Sequence, residues 1–523
     1  MAKYVVAQRL GRRTFLAAIG AAAAAPVLAA CQSAPPSTPQ VVERVVTQVV
    51  EKPVDRVVTQ VVEKQVTQVV EKQVTQIVEK QVDKVITYSV WSIYPPEAAT
   101  MGAGKGVKGK SAVMWGLKYD PHAETYERLA KDFNEITGAN ITVSPQPWPI
   151  ETKVIAAMAA GTAPDTGCIM GKVLLPLVMR NAVLDLGPYY KDMGVSTLPN
   201  KDFYQDSIQC YTYSGKIYGV PTETGTVGWV VNVPVDQVEK VGLKDTYPPT
   251  SGKLGFDSYE QMWELAKALQ VEEAGKVKKW GLSSKGWDVC TITGLMHDQG
   301  VNFWDNENKK FQFSTDAGIK AFQLHAETPV KMGIETELDQ NHVDAALAGK
   351  VALAKGNGTP WVEGKKLGYK YELAVSPPSA AGKFPKYGGE GGWGFVGLSQ
   401  GKNRDVTAEF LKYMLTKRGQ HVWAQIYGGK QIAFIPLKDD YSYYVNPDNA
   451  IVAKKFKDLP VLENTIYYGE GFGYISELEK HVNTTSSDIR SKKLNSEQAA
   501  KQVQERMEAS YKQFQADVEK MKS

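Results

Sequence analysis

Between Ala112 and Met170 the sequence alternates short apolar runs with amphipathic ones, and this order restricts the fold of the 523-residue chain more than any other feature. Ala112 to Leu117 (AVMWGL) reads as a strand. Residues 122–137 place Tyr126, Leu129, Ala130, Phe133 and Ile136 on one helical face, and Gly138 supplies the stop. Ile141-Thr142-Val143 reads as a second strand, Pro149 to Ala160 as a second helix and Cys168-Ile169-Met170 as a third strand. Strand, helix, strand, helix, strand argues for a doubly wound α/β sheet, whose ligands collect outside the carboxyl ends of the strands. Further on, Asp257-Ser258-Tyr259-Glu260 fits a capping box ahead of Met262, Leu265, Ala266 and Leu269 at helical spacing, which opens a second α/β unit. A glycine-broken strand spans 391–398 and a helix runs from Val406 to Thr416. A long polar helix begins at Ser496 and turns Ala499, Val503 and Met507 inward.

The segment ahead of this region has a different character. Residues 1–30 hold Lys3, Arg9, Arg12 and Arg13 and no acid, followed by an alanine-rich apolar run from Phe15 to Ala30. That is the layout of an export signal. Arg12-Arg13-Thr14-Phe15-Leu16 resembles a twin-arginine motif, and Leu28-Ala29-Ala30-Cys31 resembles a lipobox in which Cys31 is acylated and becomes the new N-terminus. The run of 16 residues is too short and too weakly apolar to span a bilayer, which takes about 20. The whole chain carries 61 Lys and Arg against 57 Asp and Glu, and the excess of four lies in this signal. The remainder is formally neutral, which gives no argument for nucleic-acid binding, where a concentrated basic face is the rule, and suits an uncharged solute. Residues 31–110 read as a tether: a Pro/Ser stretch from Ser33 to Gln40, a valine-rich repeat of period eight from Val58, and a Gly/Lys linker to Lys110.

Several catalytic expressions match by letter and lack their context. Gly104 to Ser111 satisfies the P-loop pattern, yet a strand follows where the chemistry needs a helix N-terminus to cradle phosphate, so it reads as flexible linker. Gly397-Leu398-Ser399-Gln400-Gly401 matches a nucleophile elbow, with Asp405 and then His421 or His481 downstream; but Gly401 to Arg404 intervene as a turn where the helix should start. No catalytic residue is assigned. The four cysteines form no C-x-x-C pair or Cys/His cluster, so no metal or cofactor is expected, and Cys168, Cys210 and Cys290 permit at most one disulfide. A surface-anchored hydrolase acting through Ser399 or a carboxylate pair stands as the alternative reading.

Residues 111–515 carry a series of markers in order: Gly161-Thr162-Ala163-Pro164-Asp165, Lys216 to Pro221 followed by Trp229-Val230-Val231-Asn232, Phe256 to Leu269, Ala348 to Leu353, Gly391-Gly392-Trp393-Gly394, and Asn403 to Leu415. In this order the chain resembles the extracellular solute-binding proteins that include the maltose-binding protein and serve ATP-driven carbohydrate importers. Val231 departs from the family, which often has tyrosine there. The resemblance implies a two-lobe periplasmic-binding-protein fold over 111–523. It assigns 111–224 and 380–430 to the first lobe and 225–379 and 431–523 to the second, with crossings near Thr222–Gly225, Ser376–Gly382 and Gly428–Pro436 that absorb closure. A carbohydrate ligand, an ABC permease partner, membrane attachment through the lipid on Cys31 and an extracytoplasmic location follow as expectations; a polyamine, peptide or phosphodiester is the alternative solute. A sugar needs flat aromatic platforms for its C–H face and polar groups for its hydroxyls. Trp361, Trp393, flanked by Gly392 and Gly394 that keep its face open, and Trp287 are the expected platforms, and Lys118, Tyr119, Glu223 and Thr224 the expected polar contacts. Trp229 reads as core, and Asp165 as a cap of its turn.

Overall fold

A computed structural model describes residues 104–118, 120–224, 230–379, 385–389, 391–427, 432–438, 465–467 and 471–522. The export signal, Cys31, the octad repeat, Tyr119 and Trp229 lie outside the described residues, as do parts of each expected crossing.

In chain order the main strands are β1 (Ser111–Leu117), β2 (Asn140–Gln146), β3 (Thr166–Met170), β4 (Val220–Pro221), β5 (Val230–Pro234), β6 (Val271–Glu273), β7 (Lys276–Ser283), β8 (Val351–Gly356), β9 (Tyr371–Val375) and β10 (Trp393–Gly397). They form two five-stranded mixed sheets, ordered β2-β1-β3-β10-β4 and β9-β5-β8-β7-β6. In the first sheet β1 runs parallel to β2 and β3, and β10 runs antiparallel to β3 and β4. The second has the same plan, with β7 and β8 parallel and β5 antiparallel to both β8 and β9. β8 and β10 are buried along their whole length, as befits central strands covered on both faces.

The sequence pattern places the first helices as expected. Helix α1 (Asp120–Thr137) buries Tyr126, Leu129, Ala130 and Phe133, and Ile136 packs at the margin. Helix α2 (Ile150–Ala159) starts from an extended Pro149. Phe133 and Phe395 both meet Phe410 edge to face, at 5.5 and 5.4 Å, and join the first core to α6 (Arg404–Met414) and α7 (Lys417–Tyr427) once α3 to α5 have covered the second sheet. Those are α3 (Tyr259–Leu269), α4 (Asp288–Asp298) and α5 (Thr359–Lys366). Helices α8 (Ile475–Arg490) and α9 (Ser496–Lys522) complete the second core, where Ala499, Val503 and Met507 are fully buried.

Three local expectations are corrected. The cap of α3 is shifted by one residue. The Ser258 hydroxyl accepts the Gln261 amide, and the Gln261 side chain accepts the Asp257 amide at 2.8 Å, so Gln261 rather than Glu260 closes the box. The Gly/Lys segment before β1 is docked rather than free: Val107 is fully buried in the first core, and the Lys105 amide donates to Glu409. The glycines around Trp393 do not hold its face open. A Cβ on Gly392, whose φ is +60°, would stand 2.3 Å from the Glu223 carbonyl oxygen, and one on Gly394 would stand 2.6 Å from the Tyr211 ring. They allow close approach of β10 to its neighbours, and Trp393 is only 3% exposed.

Two aspartates fasten the first lobe. Asp165 accepts the Val113 amide at 2.8 Å and the Asn403 amide at 2.7 Å, which ties β1 and the turn into α6 to the start of β3. Asp132 on α1 receives Arg418 of α7 in a bidentate pair at 2.8 and 2.6 Å, and the Tyr413 hydroxyl at 2.7 Å. Both members are buried. Asp132→Ala leaves the guanidinium without its counter-charge, and the expected loss is about 3–5 kcal/mol, read as a lower urea midpoint.

Candidate functional site

The parallel strands of the first sheet end at Leu117, Gln146 and Met170, and β10, running the other way, brings Trp393 opposite Met170. The carboxyl edge therefore collects Lys118, Trp148, Gly171-Lys172, Trp393 and the chain that leaves β4, Thr222 to Thr224. The Thr222 amide and hydroxyl both donate to the Trp393 carbonyl, at 2.9 and 2.8 Å, and Glu223 bridges to Ile432. Trp393 packs edge-on against His122 at 5.0 Å and against Trp148 at 6.4 Å. Trp148 is 51% exposed, the most open tryptophan face on this edge.

On the second sheet β7 ends at Ser283, β8 at Gly356 and β9 at Val375, and Val230 pairs with both of the latter two. The turn after β7, Ser284 to Trp287, is held from beneath by a buried ionic group. Arg490 of α8 donates to Asp288 and to Ser284 Oγ (3.0 Å) through Nη2 and to Glu335 (3.2 Å) through Nε; Glu335 accepts the Ser284 amide at 2.7 Å; His325 lies 2.7 Å from Asp288. Burial opposes the Asp288 charge, but Arg490 and His325 hold its carboxyl well below the usual range. Burial raises Glu335 despite Arg490, and lowers His325 to about 4 and Lys355 to about 8. The group thus pairs carboxylates with cations while its imidazole stays neutral.

His342 joins the two turns of this edge. Its Nδ1 faces the Lys285 carbonyl at 2.8 Å and its Nε2 accepts the Asn357 amide at 3.4 Å, so the neutral ring carries its proton on Nδ1. Trp287 leads into α4 with its indole against the end of β8: a Cβ on Gly356 would lie 2.8 Å from Trp287 Cδ1. The two lobes meet here. Lys172 reaches across so that its ammonium lies 5.9 Å from the centre of the Trp287 ring and 2.7 Å from Glu479 of α8. Beside this contact is a cavity of about 100 Å³ lined by Glu151, Lys172 and Tyr213 from the first lobe and by Phe472, Gly473 and Tyr474 from the second.

Of the residues named from sequence, Lys118, Glu223, Thr224 and Trp393 fall on the first-lobe edge and Trp287 on the second. Lys118 is exposed, Glu223 and Thr224 are buried in the crossing, and Trp287 is half-buried. Trp361, on α5 just past the end of β8, is packed away. It is 5% exposed, belongs to an apolar cluster with Tyr371 and Leu373, and has Lys365 over its ring at 4.2 Å, the surroundings of a core residue. Sequence reasoning missed Trp148, Lys172 and Tyr474. Trp148 had a usable signal, a tryptophan between Pro147 and Pro149 directly after a strand. Ser399 lies at the opposite end of β10 from the cleft, where its hydroxyl donates to the Asn181 carbonyl, and Asp405 is paired with Lys110.

Burial takes His342 down to about 4, against 6.5 for an ordinary imidazole. The unfolded chain therefore binds this proton first, and stability is lost as pH falls from about 6.5 to about 4, by roughly 1.4 kcal/mol per pH unit from this one group. His342→Gln is expected to flatten that part of the stability curve, measured by denaturant unfolding across the window; an unchanged slope would refute the assignment.

The model of the bacterial extracellular solute-binding protein family matches residues 128–441. No curated protein matches the chain. Among solved structures, an ABC transporter solute-binding protein of Thermotoga lettingae bound with α-D-tagatose is 17% identical with a TM-score of 0.60, over 77% of this chain and 100% of that one. The maltose/maltodextrin-binding domain of Bdellovibrio bacteriovorus bound to maltotriose is 16% identical with a TM-score of 0.60, over 77% and 100%. UgpB of Mycobacterium tuberculosis, in complex with glycerophosphocholine, is 15% identical with a TM-score of 0.59, over 77% and 98%. A family match over more than half of the chain, on a fold of two α/β lobes meeting at their strand ends, makes this protein a member of the bacterial extracellular solute-binding proteins.

Proposed function

We propose that this protein captures a carbohydrate between its lobes and delivers it to the permease of an ABC importer. The observation that carries the reading is an accessible aromatic ring on each edge: Trp148 on the first, seated on the buried Trp393, and half-buried Trp287 on the second. Flat rings flank the space where the two carboxyl edges converge, and polar groups at Lys118, Glu223 and Thr224 stand on the first-lobe side, the combination a hydroxylated ring requires. Solved neighbours that hold tagatose and maltotriose support the same class of ligand. Membership of the family puts its work outside the cytoplasm. The twin-arginine-like signal and Cys31 add export and lipid anchoring, with residues 31–110 as the tether between membrane and lobes. Within this reading the protein is a binder rather than an enzyme. The position of Ser399, at the far end of its strand and bonded to a backbone carbonyl, favours that over the hydrolase alternative.

One specific observation keeps a second solute class in view. UgpB, of similar fold, holds a phosphodiester, and Lys172 places a cation in the cleft of this chain. A thermal-shift panel of mono- and oligosaccharides, glycerophosphocholine, polyamines and short peptides separates the possibilities, because a ligand that binds only the folded state raises its melting temperature. A shift with a sugar is expected; shifts only with the other solutes would move the assignment to that class. With the best sugar, Trp287→Ala is expected to weaken binding more than tenfold at an unchanged melting temperature. Trp361→Ala is expected instead to destabilise the fold by about 3–5 kcal/mol, measured by denaturant unfolding.

A further inference from the structure

Lys172 sits on a turn with no freedom to move away from the first lobe. The Gly171 amide donates to the Gly392 carbonyl at 2.9 Å, and a Cβ on Gly171 would stand 2.1 Å from Cys210 Sγ, so the backbone here is pressed against the first core. Glu479 is equally fixed to the second lobe, because α8 buries Leu478, Val482 and Ile489 and ends in the Arg490 ionic group. The 2.7 Å ion pair therefore connects two rigid bodies rather than two mobile side chains. Its side chains are 9% and 23% exposed, which lowers screening relative to a surface pair. The same ammonium stands over the Trp287 ring, within cation–π range.

We propose that Lys172 is a latch between the lobes: in the arrangement seen here it grips Glu479 and covers Trp287, and a solute that stacks on Trp287 displaces it. The displacement clause rests on the reading of Trp287 as a platform; the latch itself does not. Lys172 then sets specificity as well as closure, since the incoming group has to offset the loss of both contacts. A ligand with acceptor groups near the freed ammonium recovers part of that loss, whereas a purely apolar one does not.

The test measures lobe separation without any sugar, so failure of the carbohydrate reading leaves it intact. Nitroxide labels on exposed Glu127 of the first lobe and Glu260 of the second give an interlobe distance distribution in the full-length protein by pulsed electron resonance. Lys172→Met, Glu479→Gln and the double variant are expected to shift the distribution to longer distances by the same amount, because either change removes the same pair. About 0.5 M salt, where the Debye length is about 4 Å, is expected to move the unsubstituted protein toward the variants and leave the variants where they are. Distributions that coincide in all four proteins and at both ionic strengths would overturn the latch. Should Lys172→Met fail to fold, Glu479→Gln, on the more exposed partner, decides the matter alone.

Discussion

Arg490 is the charge on which the second lobe depends. A guanidinium this deep is tolerated only because Asp288 and Glu335 neutralise it and Ser284 and His325 take up further hydrogen-bonding directions. Each partner of this α8 residue comes from a different part of the chain: Ser284 from the turn after β7, Asp288 from the start of α4, His325 from the helical stretch 323–327 and Glu335 from the segment before β8. The cluster therefore fixes relative positions that no single element could fix. Its upper surface is the turn from Ser284 to Trp287, and its far end is the helix that carries Glu479. One buried group thus sets both the platform and the partner of Lys172. Lys355, buried beside it with its ammonium 3.3 Å from Thr291, adds a second cation that burial pushes toward neutrality.

The first lobe solves the same problem by separating its tasks along the strands. At the amino ends of β1 and β3, Asp165 binds backbone amides from β1 and from the turn into α6, and Ser399 binds Asn181. These are structural bonds, and they account for a glycine, proline and aspartate marker and for a serine that would otherwise invite a catalytic reading. The carboxyl ends are left with few such bonds and with aromatic and charged side chains instead. That division leaves the side chains of the proposed site at the strand ends, where doubly wound sheets bind ligands.

Much of this was legible in the sequence, and the boundary is physical. Periodicity reports one-dimensional order, so the strand–helix alternation from Ala112 to Met170, the buried face of α1 and the inward residues of α9 are found where the spacing puts them. The cap of α3 was displaced by one residue because Ser258 and Asp257 are both competent caps, and only the backbone decides between them. Tryptophan identity carried less. Trp393 stands between glycines that suggest openness, yet those glycines serve close packing, and Trp361 is buried in an apolar cluster, while Trp148, flanked by prolines, holds the exposed face. The Arg490 group was invisible because its members are separated by up to 206 residues, and their charges look solvated until folding removes the water.

The contrast between the buried ionic groups and the cleft contacts explains how one chain can be rigid and still move. Asp132 with Arg418, and Arg490 with its two carboxylates, are fully desolvated, so breaking them costs several kcal/mol and they do not open on the time scale of binding. Lys172 with Glu479 keeps partial access to water, and each ion can be rehydrated as it separates. Its exchange for solute is therefore cheap, while the bodies that it joins stay intact. Thr222 to Thr224, threaded past Gly392 with no space for a side chain there, is anchored to the first lobe through Trp393. Thr222 to Thr224 thus belong to the edge of the first lobe. Bonds of this kind hold each edge together, so a change in lobe separation would alter the distance between the edges and not the edges themselves.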